Sequence, residues 1–250
     1  MNNKSNYSYV GVAFIILVFG IIFIPKIINR ISNNSIVEDD RLNVKNEKHT
    51  TKSESDLAFI EINGEAKKVP SFSFTNQNGT LITNTDYKGK VYIVEFFFTT
   101  CPTICPKMNN NLVQIQNTFQ ENEDFGIASF SINPEHDTIQ VLKNYAEQYG
   151  ITNPNWHLMT GEQADIYKLA NQGFNLYTAQ EDSVEGGFEH SGNFALIDKN
   201  GFIRSRIVNG NPLIYYNGII SEAEGLDDDG QEQQITMLKE DIIKLLNEKL

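Results

Sequence analysis

Cysteine is scarce in this chain, with only two among 250 residues, Cys101 and Cys105. A structural zinc ion takes four ligands, so the two thiols cannot build a cysteine-only structural zinc site. No cysteine lies directly after the one long hydrophobic run, and we therefore expect no lipid-modified cysteine to anchor the chain. The two thiols lie four residues apart, and that short segment is the main source of functional information.

Basic side chains are also few. Lys and Arg number 20 against 32 Asp and Glu, which gives a formal net charge of −12 at pH 7. The imbalance lies in one part of the chain, because residues 57–250 hold 13 basic and 26 acidic side chains, whereas residues 1–56 hold 7 and 6. Nucleic acid binding needs a basic surface against the phosphates, so we expect no nucleic acid partner.

Hydrophobic residues form one long run, YVGVAFIILVFGIIFIPKII at residues 9–28, with Lys26 as its only charge. About 20 apolar residues span a bilayer, so the run predicts a transmembrane anchor after a short N-terminal tail at residues 1–8. A cleaved signal peptide is the alternative, but no small-residue cleavage site follows. Residues 29–56 are polar and predict a flexible linker to a domain at residues 57–250. The flanking charges do not decide the orientation of the anchor.

Residues 57–250 show the alternating strands and helices of an α/β domain. Continuous apolar runs predict central strands, and apolar residues recurring every three or four positions predict helices. The predicted strands cover residues 72–74, 80–83, 90–98, 125–132, 156–159, 194–198 and 202–208. The predicted helices follow Cys105, follow a capping Asp137, cover residues 162–172 and cover residues 235–246. This order predicts a thioredoxin-like domain with a mixed sheet, with embellishments near residues 209–230.

The segment EFFFTTCPTICPKM places both thiols where a buried strand ends and a helix begins. Pro102 suits a first helical position, and Pro106 is tolerated only in the first turn or just before it. We therefore expect both sulfur atoms on the first helical turn, where the backbone N–H groups favour thiolate over thiol. Such a pair forms a redox couple or a soft-metal site. The alternative without function is an inert disulfide, or two buried small side chains.

A metal site at the thiols would need another ligand, and the chain has four histidines. His49 falls in the predicted linker. His157 falls in a strand, where packing explains it, and His136 precedes a predicted helix, where exposure to solvent explains it. His190 lies in the glycine-rich segment SVEGGFEHSG before a strand. From spacing alone, both solvation and a functional role remain open for His190.

Four segments become recognisable when taken in order: FFFTTCPTICPKM, SINPEHDTIQVLKNYA, WHLMTG and FEHSGNFALIDKNG. Together they resemble the Sco/SenC family of membrane-anchored copper proteins that serve cytochrome c oxidase assembly. The resemblance implies copper, Cu(I) or Cu(II), and maps its ligands onto Cys101, Cys105 and His190. It implies the copper-bearing oxidase subunit as partner and membrane lipid around residues 9–28. The soluble domain would then lie outside the cytoplasm, on the periplasmic side of the inner membrane in a bacterium.

Two thiolates and one imidazole form a soft ligand set that suits Cu(I), and that tolerates Cu(II) with an added ligand. The chain departs from the family pattern at Asn133, where an acidic residue is usual, and at Glu189, where Asp is usual. We expect Asp137 to cap the following helix first and to support a ligand second. The sequence indicates no role for Glu95, a single charge inside an apolar strand.

Two other functions use a similar fold. A thioredoxin-type thiol-disulfide oxidoreductase would use Cys101 and Cys105 as its redox-active pair. Such enzymes have CxxC spacing and a proline before the hairpin strand, whereas this chain has CxxxC and no proline between residues 154 and 212. A peroxiredoxin would need an arginine near the thiol, which Arg204 would have to supply. The loop histidine has a place only in the copper-binding interpretation, so the sequence favours a metallochaperone over an enzyme, with thiol-disulfide exchange as the alternative activity.

Overall fold

The computed structural model describes residues 17–19, 57–62, 64–181 and 186–249. The chain divides into two compact units, residues 1–51 and residues 52–250. Residues 17–19 are helical, and the remainder of the predicted anchor and the whole predicted linker lie outside the described residues. A search of the described residues finds no helix that is both long and apolar enough to cross a membrane.

Short strands make up most of the second unit. They are β1 Ala58–Phe59, β2 Glu61–Ile62, β3 Glu65–Ala66, β4 Ser73–Asn76, β5 Leu81–Thr83, β6 Val91–Phe97, β7 Phe125–Ser131, β8 Trp156–Thr160, β9 Thr178–Gln180, β10 Phe188–His190, β11 Asn193–Ile197, β12 Ile203–Ser205, β13 Ile207–Val208, β14 Asn211–Pro212 and β15 Tyr216–Asn217. The main sheet has the order β1-β12-β11-β6-β7-β8-β4-β5, and β15 pairs with β11. Three separate hairpins are β2–β3, β9–β10 and β13–β14.

The centre of the main sheet is parallel and its flanks are antiparallel. β6, β7 and β8 pair in parallel, and β11 and β4 pair antiparallel on either side. Every residue of β6 and β7 is buried, because helices cover both faces of a parallel centre. Phe97 packs its ring on Tyr145 on one face, and Phe96 packs on Phe174 on the other. The predicted α/β class with a mixed sheet is confirmed.

The α-helices of the described second unit are α1 Cys105–Thr118, α2 Ile139–Tyr149, α3 Gln163–Lys168 and α4 Ile235–Asn247. α3 continues into a π-helix at Leu169–Phe174, so the helix predicted over residues 162–172 is present and its second half has the wider π form. α2 begins after Thr138, whose hydroxyl accepts a hydrogen bond from the Val141 N–H at 3.4 Å. The predicted cap at Asp137 is therefore wrong by one residue.

Arg204 of β12 ties the first and last described segments of the unit to one edge of the sheet. Its guanidinium donates to the carboxylates of Asp198 and Glu248 at 2.8 and 3.0 Å, and to the Leu57 carbonyl at 3.0 Å. A buried guanidinium is tolerated only when charged and polar partners replace its water shell. Leu57 and the residue just after the end of α4, Glu248, are therefore held against β12.

Candidate metal centre

Both thiols lie beyond the C-terminal end of β6. The segment between β6 and α1 is a turn in which the Cys101 N–H donates to the Phe98 carbonyl at 3.2 Å. α1 begins at Cys105, and Pro106 lies in its first turn. Cys101 is therefore in the loop before the helix, and the expectation that both thiols share the first helical turn is wrong. The helix start is close to Cys101 nonetheless, because the Cys105 N–H donates to the Cys101 sulfur at 3.5 Å.

The structure brings Cys101, Cys105 and His190 together. Cys105 Sγ lies 3.2 Å from His190 Nε2, although 85 residues separate the two in sequence. The two sulfur atoms and a ring nitrogen all lie within 4.8 Å of one another. The three residues are 7%, 1% and 8% exposed, so the site is close to the surface but largely dry. Within the described ranges, this is the one cluster of three or more His, Cys, Asp or Glu side chains with suitable spacing for a metal.

The two thiols differ in their affinity for a proton. The hydrogen bond from the Cys105 thiol is the main cause that lowers the pKa of Cys101 far below its usual value, and the hydrogen bond from the Cys105 N–H adds to it. Burial is the main cause that raises the pKa of Cys105, and the adjacent Cys101 sulfur adds to it. The pair therefore holds one proton, with Cys101 as the thiolate and Cys105 as the thiol that donates to it. Thiolate is the form that binds metals and attacks disulfides.

His190 reaches the thiols from β10, which pairs with β9. Its Nδ1 lies 3.2 Å from the Ser191 carbonyl oxygen, and because a carbonyl can only accept, Nδ1 carries the proton. The unprotonated Nε2 then faces Cys105 with its lone pair, which is the form of imidazole that binds metals. The Phe98 ring meets the imidazole edge-on, with 5.8 Å between ring centroids.

Asp137 lies fully buried beside the loop that carries Cys101. Its carboxylate accepts hydrogen bonds from the Thr99 N–H at 3.0 Å, from the Thr99 hydroxyl at 2.5 Å and from the Ser131 hydroxyl at 2.5 Å. It also lies 2.9 Å from His136 Nδ1. These bonds fasten the end of β7 to the residue two positions before Cys101. Of the two roles expected for Asp137, its contacts fit support of a ligand segment.

The other histidines take other places. His136 is exposed, as its position before a helix predicts. His157 is half-buried, and its Nδ1 pairs with the Asn76 amide at 3.2 Å, which fits the packing role expected for it. His49 lies outside the described residues. Among the described histidines, His190 alone reaches the thiols.

The two departures from the family pattern leave the three candidate ligands in place. The Asn133 N–H donates to the Ser131 hydroxyl oxygen at 3.2 Å, and that hydroxyl donates to Asp137. Position 133 therefore reaches the network through its backbone, which any side chain except proline preserves. Glu189 is exposed and lies opposite Ala179 in the β9–β10 pairing.

Glu95 is a buried carboxyl near the thiols, and the sequence indicated no role for it. One of its oxygens accepts from the Ser129 hydroxyl at 2.6 Å, and the other has no hydrogen-bond partner among the described residues. Burial raises the pKa of Glu95 to about 7. Its charge is close enough to contribute to the raised pKa of Cys105 and of Tyr145. The signal in the sequence was a lone acidic residue in an apolar central strand.

The donor set fits copper better than zinc. Zinc takes four ligands in structural sites and three plus water in catalytic sites. The described residues bring two sulfur atoms and one imidazole nitrogen together, with one thiolate and one lone pair already facing the shared space. Soft thiolates select Cu(I), which accepts a coordination number of two or three. The site can therefore bind one copper ion or, without metal, exchange its thiols with a disulfide.

Solved structures share this fold. The SCO1/SenC family lipoprotein from Bacillus anthracis aligns over 72% of this chain and 95% of its own, with 29% identity and a TM-score of 0.58. BsSco, a member of the Sco family of cytochrome c oxidase assembly proteins with a disulfide switch, aligns over 73% and 95%, with 28% identity and a TM-score of 0.58. Arabidopsis thaliana ScoI, solved with copper bound, aligns over 71% and 96% at 21% identity and a TM-score of 0.52, which shows a shared fold alone.

Relatives in sequence agree with these structures. The SCO1 protein homolog of Bacillus subtilis (strain 168) is 33% identical over 159 residues, which is 63% of this chain and 81% of that protein. The family model described as SCO1/SenC matches residues 61–217, a span that includes Cys101, Cys105 and His190. The expected thioredoxin-like fold and the resemblance drawn from four sequence segments are both confirmed. The chain belongs to the SCO1/SenC family.

Proposed function

We propose that this protein is a membrane-anchored copper donor that takes part in the assembly of cytochrome c oxidase. Copper is its cargo, held by Cys101, Cys105 and His190 and passed to the copper-bearing subunit of the oxidase. The observation that carries this proposal is the meeting of two sulfur atoms and one ring nitrogen within 4.8 Å. BsSco supports it, since that protein is a member of a family of cytochrome c oxidase assembly proteins.

The protonation of the thiols sets the order in which the ligands engage. Cys101 supplies the first sulfur, because its lowered pKa keeps it ionised. Cys105 must release the proton that it donates, so loading one Cu(I) ion expels one proton from the site. His190 adds its Nε2, while Ser191 holds the proton on Nδ1. Release can begin at the imidazole, because two thiolates still hold Cu(I) after the histidine has withdrawn.

Copper titration of the full-length protein tests the three ligands. Cys101→Ser or Cys105→Ser should abolish Cu(I) binding, because one thiolate and one imidazole form a poor site for Cu(I). His190→Ala should weaken Cu(II) binding far more than Cu(I) binding. His157→Ala is the matched control, since that histidine pairs with Asn76 and does not reach the thiols, and it should leave both affinities unchanged. An unchanged Cu(II) spectrum in His190→Ala would remove the histidine from the site.

Thiol-disulfide exchange is a second function, favoured by the lowered pKa of Cys101 beside a second thiol. The Cys101 thiolate would attack a target disulfide and form a mixed disulfide. Cys105 would then displace the target sulfur, which leaves a Cys101–Cys105 disulfide and two reduced target thiols. The disulfide switch of BsSco supports this chemistry. Insulin reduction at thioredoxin-like rates would make it the main function, and stoichiometric copper uptake by the oxidised protein would show that the cysteines are not the ligands.

The anchor and the location are part of the same proposal. Residues 9–28 are the transmembrane anchor, residues 29–56 are the linker, and the copper-binding domain lies outside the cytoplasm. The apolar run and the SCO1/SenC lipoprotein of Bacillus anthracis support a membrane tether. In a bacterial host, protease added to spheroplasts should digest the domain. Protection in intact spheroplasts, followed by digestion after lysis, would place the domain inside the cell.

A further inference from the structure

The hairpin β13–β14 is an exposed apolar element that the proposed copper chemistry does not use. Ile207 pairs with Pro212 and Val208 with Asn211 around a two-residue turn. Both turn residues, Asn209 and Gly210, have positive φ, as this tight hairpin turn requires.

Three exposed apolar side chains lie on this hairpin and just after it, beside the exposed Asn209 and Asn211. Ile207 and Ile214 are 53% and 57% exposed, and Val208 is exposed as well. The fifteen residues 207–221 contain no charged side chain, in a domain where acidic residues outnumber basic ones two to one. Exposed apolar side chains in an uncharged segment of an acidic protein are a candidate interaction site.

Hydrogen bonds and an ion pair fix the position of the hairpin, because they join its base to the core of the domain. The Leu213 N–H donates to the Arg206 carbonyl at 2.7 Å. Arg206 in turn pairs with the buried carboxylate of Asp241 in α4 at 2.6 Å. The Tyr215 hydroxyl donates to the Phe174 carbonyl at the end of the π-helix. Its exposed isoleucines are therefore held at a fixed place on the domain.

Strand pairing places this hairpin at the end of the sheet that carries the thiols. In the antiparallel ladder, Leu196 of β11 lies between Ile93 of β6 and Arg204 of β12. From that row, β6 runs toward Cys101 and β12 runs in the same direction toward the hairpin. β1 pairs antiparallel with β12, so β1 begins at that same end of the sheet.

We propose that the β13–β14 hairpin docks on the surface of the lipid bilayer and turns the metal-binding end of the domain toward the membrane. This inference rests on the proposed anchor at residues 9–28. The linker between that anchor and Leu57 has 28 residues. A coil of that length spans roughly 30 Å, so a tether of this kind would keep the start of β1 within reach of the bilayer. The hairpin lies at the same end of the sheet as the start of β1.

Lipid is the occupant that these features favour. Uncharged apolar residues enter the interfacial layer without the desolvation that a charged surface would incur. Anionic headgroups would repel an acidic domain, so contact must come through a neutral element of this kind. Two isoleucines and a valine bind weakly by themselves, but tethering raises their effective concentration at the bilayer. The contact therefore orients a domain that the anchor already holds.

Depth-sensitive quenching on the full-length chain tests the proposal. Ile214→Trp and Leu81→Trp are made separately, and each chain is reconstituted into phosphatidylcholine vesicles with and without brominated acyl chains. Leu81, 60% exposed on the opposite edge strand β5, is the matched control. The native Trp156 is buried and gives the same background in both variants. Bromine should quench the emission of Ile214→Trp several-fold more than that of Leu81→Trp, and adding Ile207→Asp should remove the difference.

Each other result overturns the inference in a distinguishable way. Flotation of the chains with the vesicles is measured first, and failure to float refutes the anchor and the hairpin contact together. Flotation with equal quenching of Ile214→Trp and Leu81→Trp, or with quenching of neither, refutes the hairpin contact and leaves the anchor standing. Shielding of Ile214→Trp from aqueous iodide only when purified oxidase is added would assign the hairpin to a protein partner. Copper binding, measured on the same samples, reports on the cargo proposal independently.

Discussion

Cys101 and Cys105 are carried by the central β6–α1 unit of the sheet, whereas His190 comes from β10, which pairs with β9 in a hairpin outside the main sheet. The thiol side is fixed by the buried Asp137, whose carboxylate joins Thr99 to the end of β7. The histidine side is fixed by three cross-strand pairs and by an edge-on contact with Phe98. A separate two-stranded hairpin therefore carries the imidazole, whereas the central parallel strands of the main sheet carry the sulfur atoms.

This difference suits a protein that must give up its metal. Ligands on a rigid frame set affinity and selectivity, because little conformational entropy is lost when they bind. A ligand on a short hairpin can leave at a lower free-energy cost, because local opening needs only the bonds of that hairpin. Substitutions that weaken the support of the thiols should therefore reduce stability and copper affinity more than substitutions that weaken the support of the histidine.

The largest effect should come from Asp137→Ala on the thiol side. The substitution leaves two hydroxyl groups and one backbone N–H without their acceptor, and each such loss costs about 1–3 kcal/mol. We expect the free energy of unfolding to fall by roughly 4 kcal/mol and copper affinity to fall about 10–100-fold. Urea unfolding and copper titration measure the two effects. Glu135→Ala, an exposed neighbour, is the control, and equal stability of the two variants would show that the carboxylate does not brace the loop.

Glu95→Gln should remove part of the pH dependence of the free energy of unfolding, because Glu95 is a buried acid near the thiols. Burial raises the pKa of Glu95 to about 7 in the folded protein, above the value of 4.5 for an unfolded chain. The protein then binds more protons when folded, so this group's stabilisation is complete below about pH 4.5 and is lost as pH rises to about 7. The loss is on the order of 3 kcal/mol. Urea unfolding at several pH values should show this slope in the wild type and in Glu61→Gln, an exposed control, but not in Glu95→Gln.

Asn171→Ala on the histidine side should have the smallest effect on stability. The Asn171 amide donates to the Thr178 carbonyl at 3.0 Å and accepts from the Thr178 N–H at 3.0 Å, and Thr178 lies opposite His190. We expect about 1 kcal/mol of lost stability. Cu(II) affinity should fall roughly tenfold, because the histidine is less well positioned, while Cu(I) affinity stays unchanged. Gln172→Ala is the control, and a loss of Cu(I) affinity in Asn171→Ala would contradict the division between the two sides.

Local signals in the sequence were sufficient for much of the fold. Unbroken apolar runs marked β6 and β7, because a parallel strand with helices on both faces has no solvent side. The class and the order of the elements followed from these runs and from helical spacing. The π-helix after α3 could not be predicted this way, because the spacing of apolar residues over so short a segment does not distinguish an α-helix from a π-helix. The exposed β13–β14 hairpin fell within the region expected to hold embellishments, but its surface could not be derived.

The sequence by itself determined the chemistry of the site, since two thiols four residues apart and one histidine in a recognisable segment define a soft ligand set. Tertiary structure decided what those residues do together. It placed His190 Nε2 3.2 Å from Cys105 Sγ, although 85 residues separate the two in sequence. It also placed Cys101 in the loop before the helix, a loop that Asp137 supports through Thr99. It also made Cys101 the thiolate of the pair, because proton affinity depends on burial and on hydrogen-bond partners. Residue types and spacing are local properties of the chain, whereas ligand geometry and protonation arise from contacts between distant segments, and these exist only after folding.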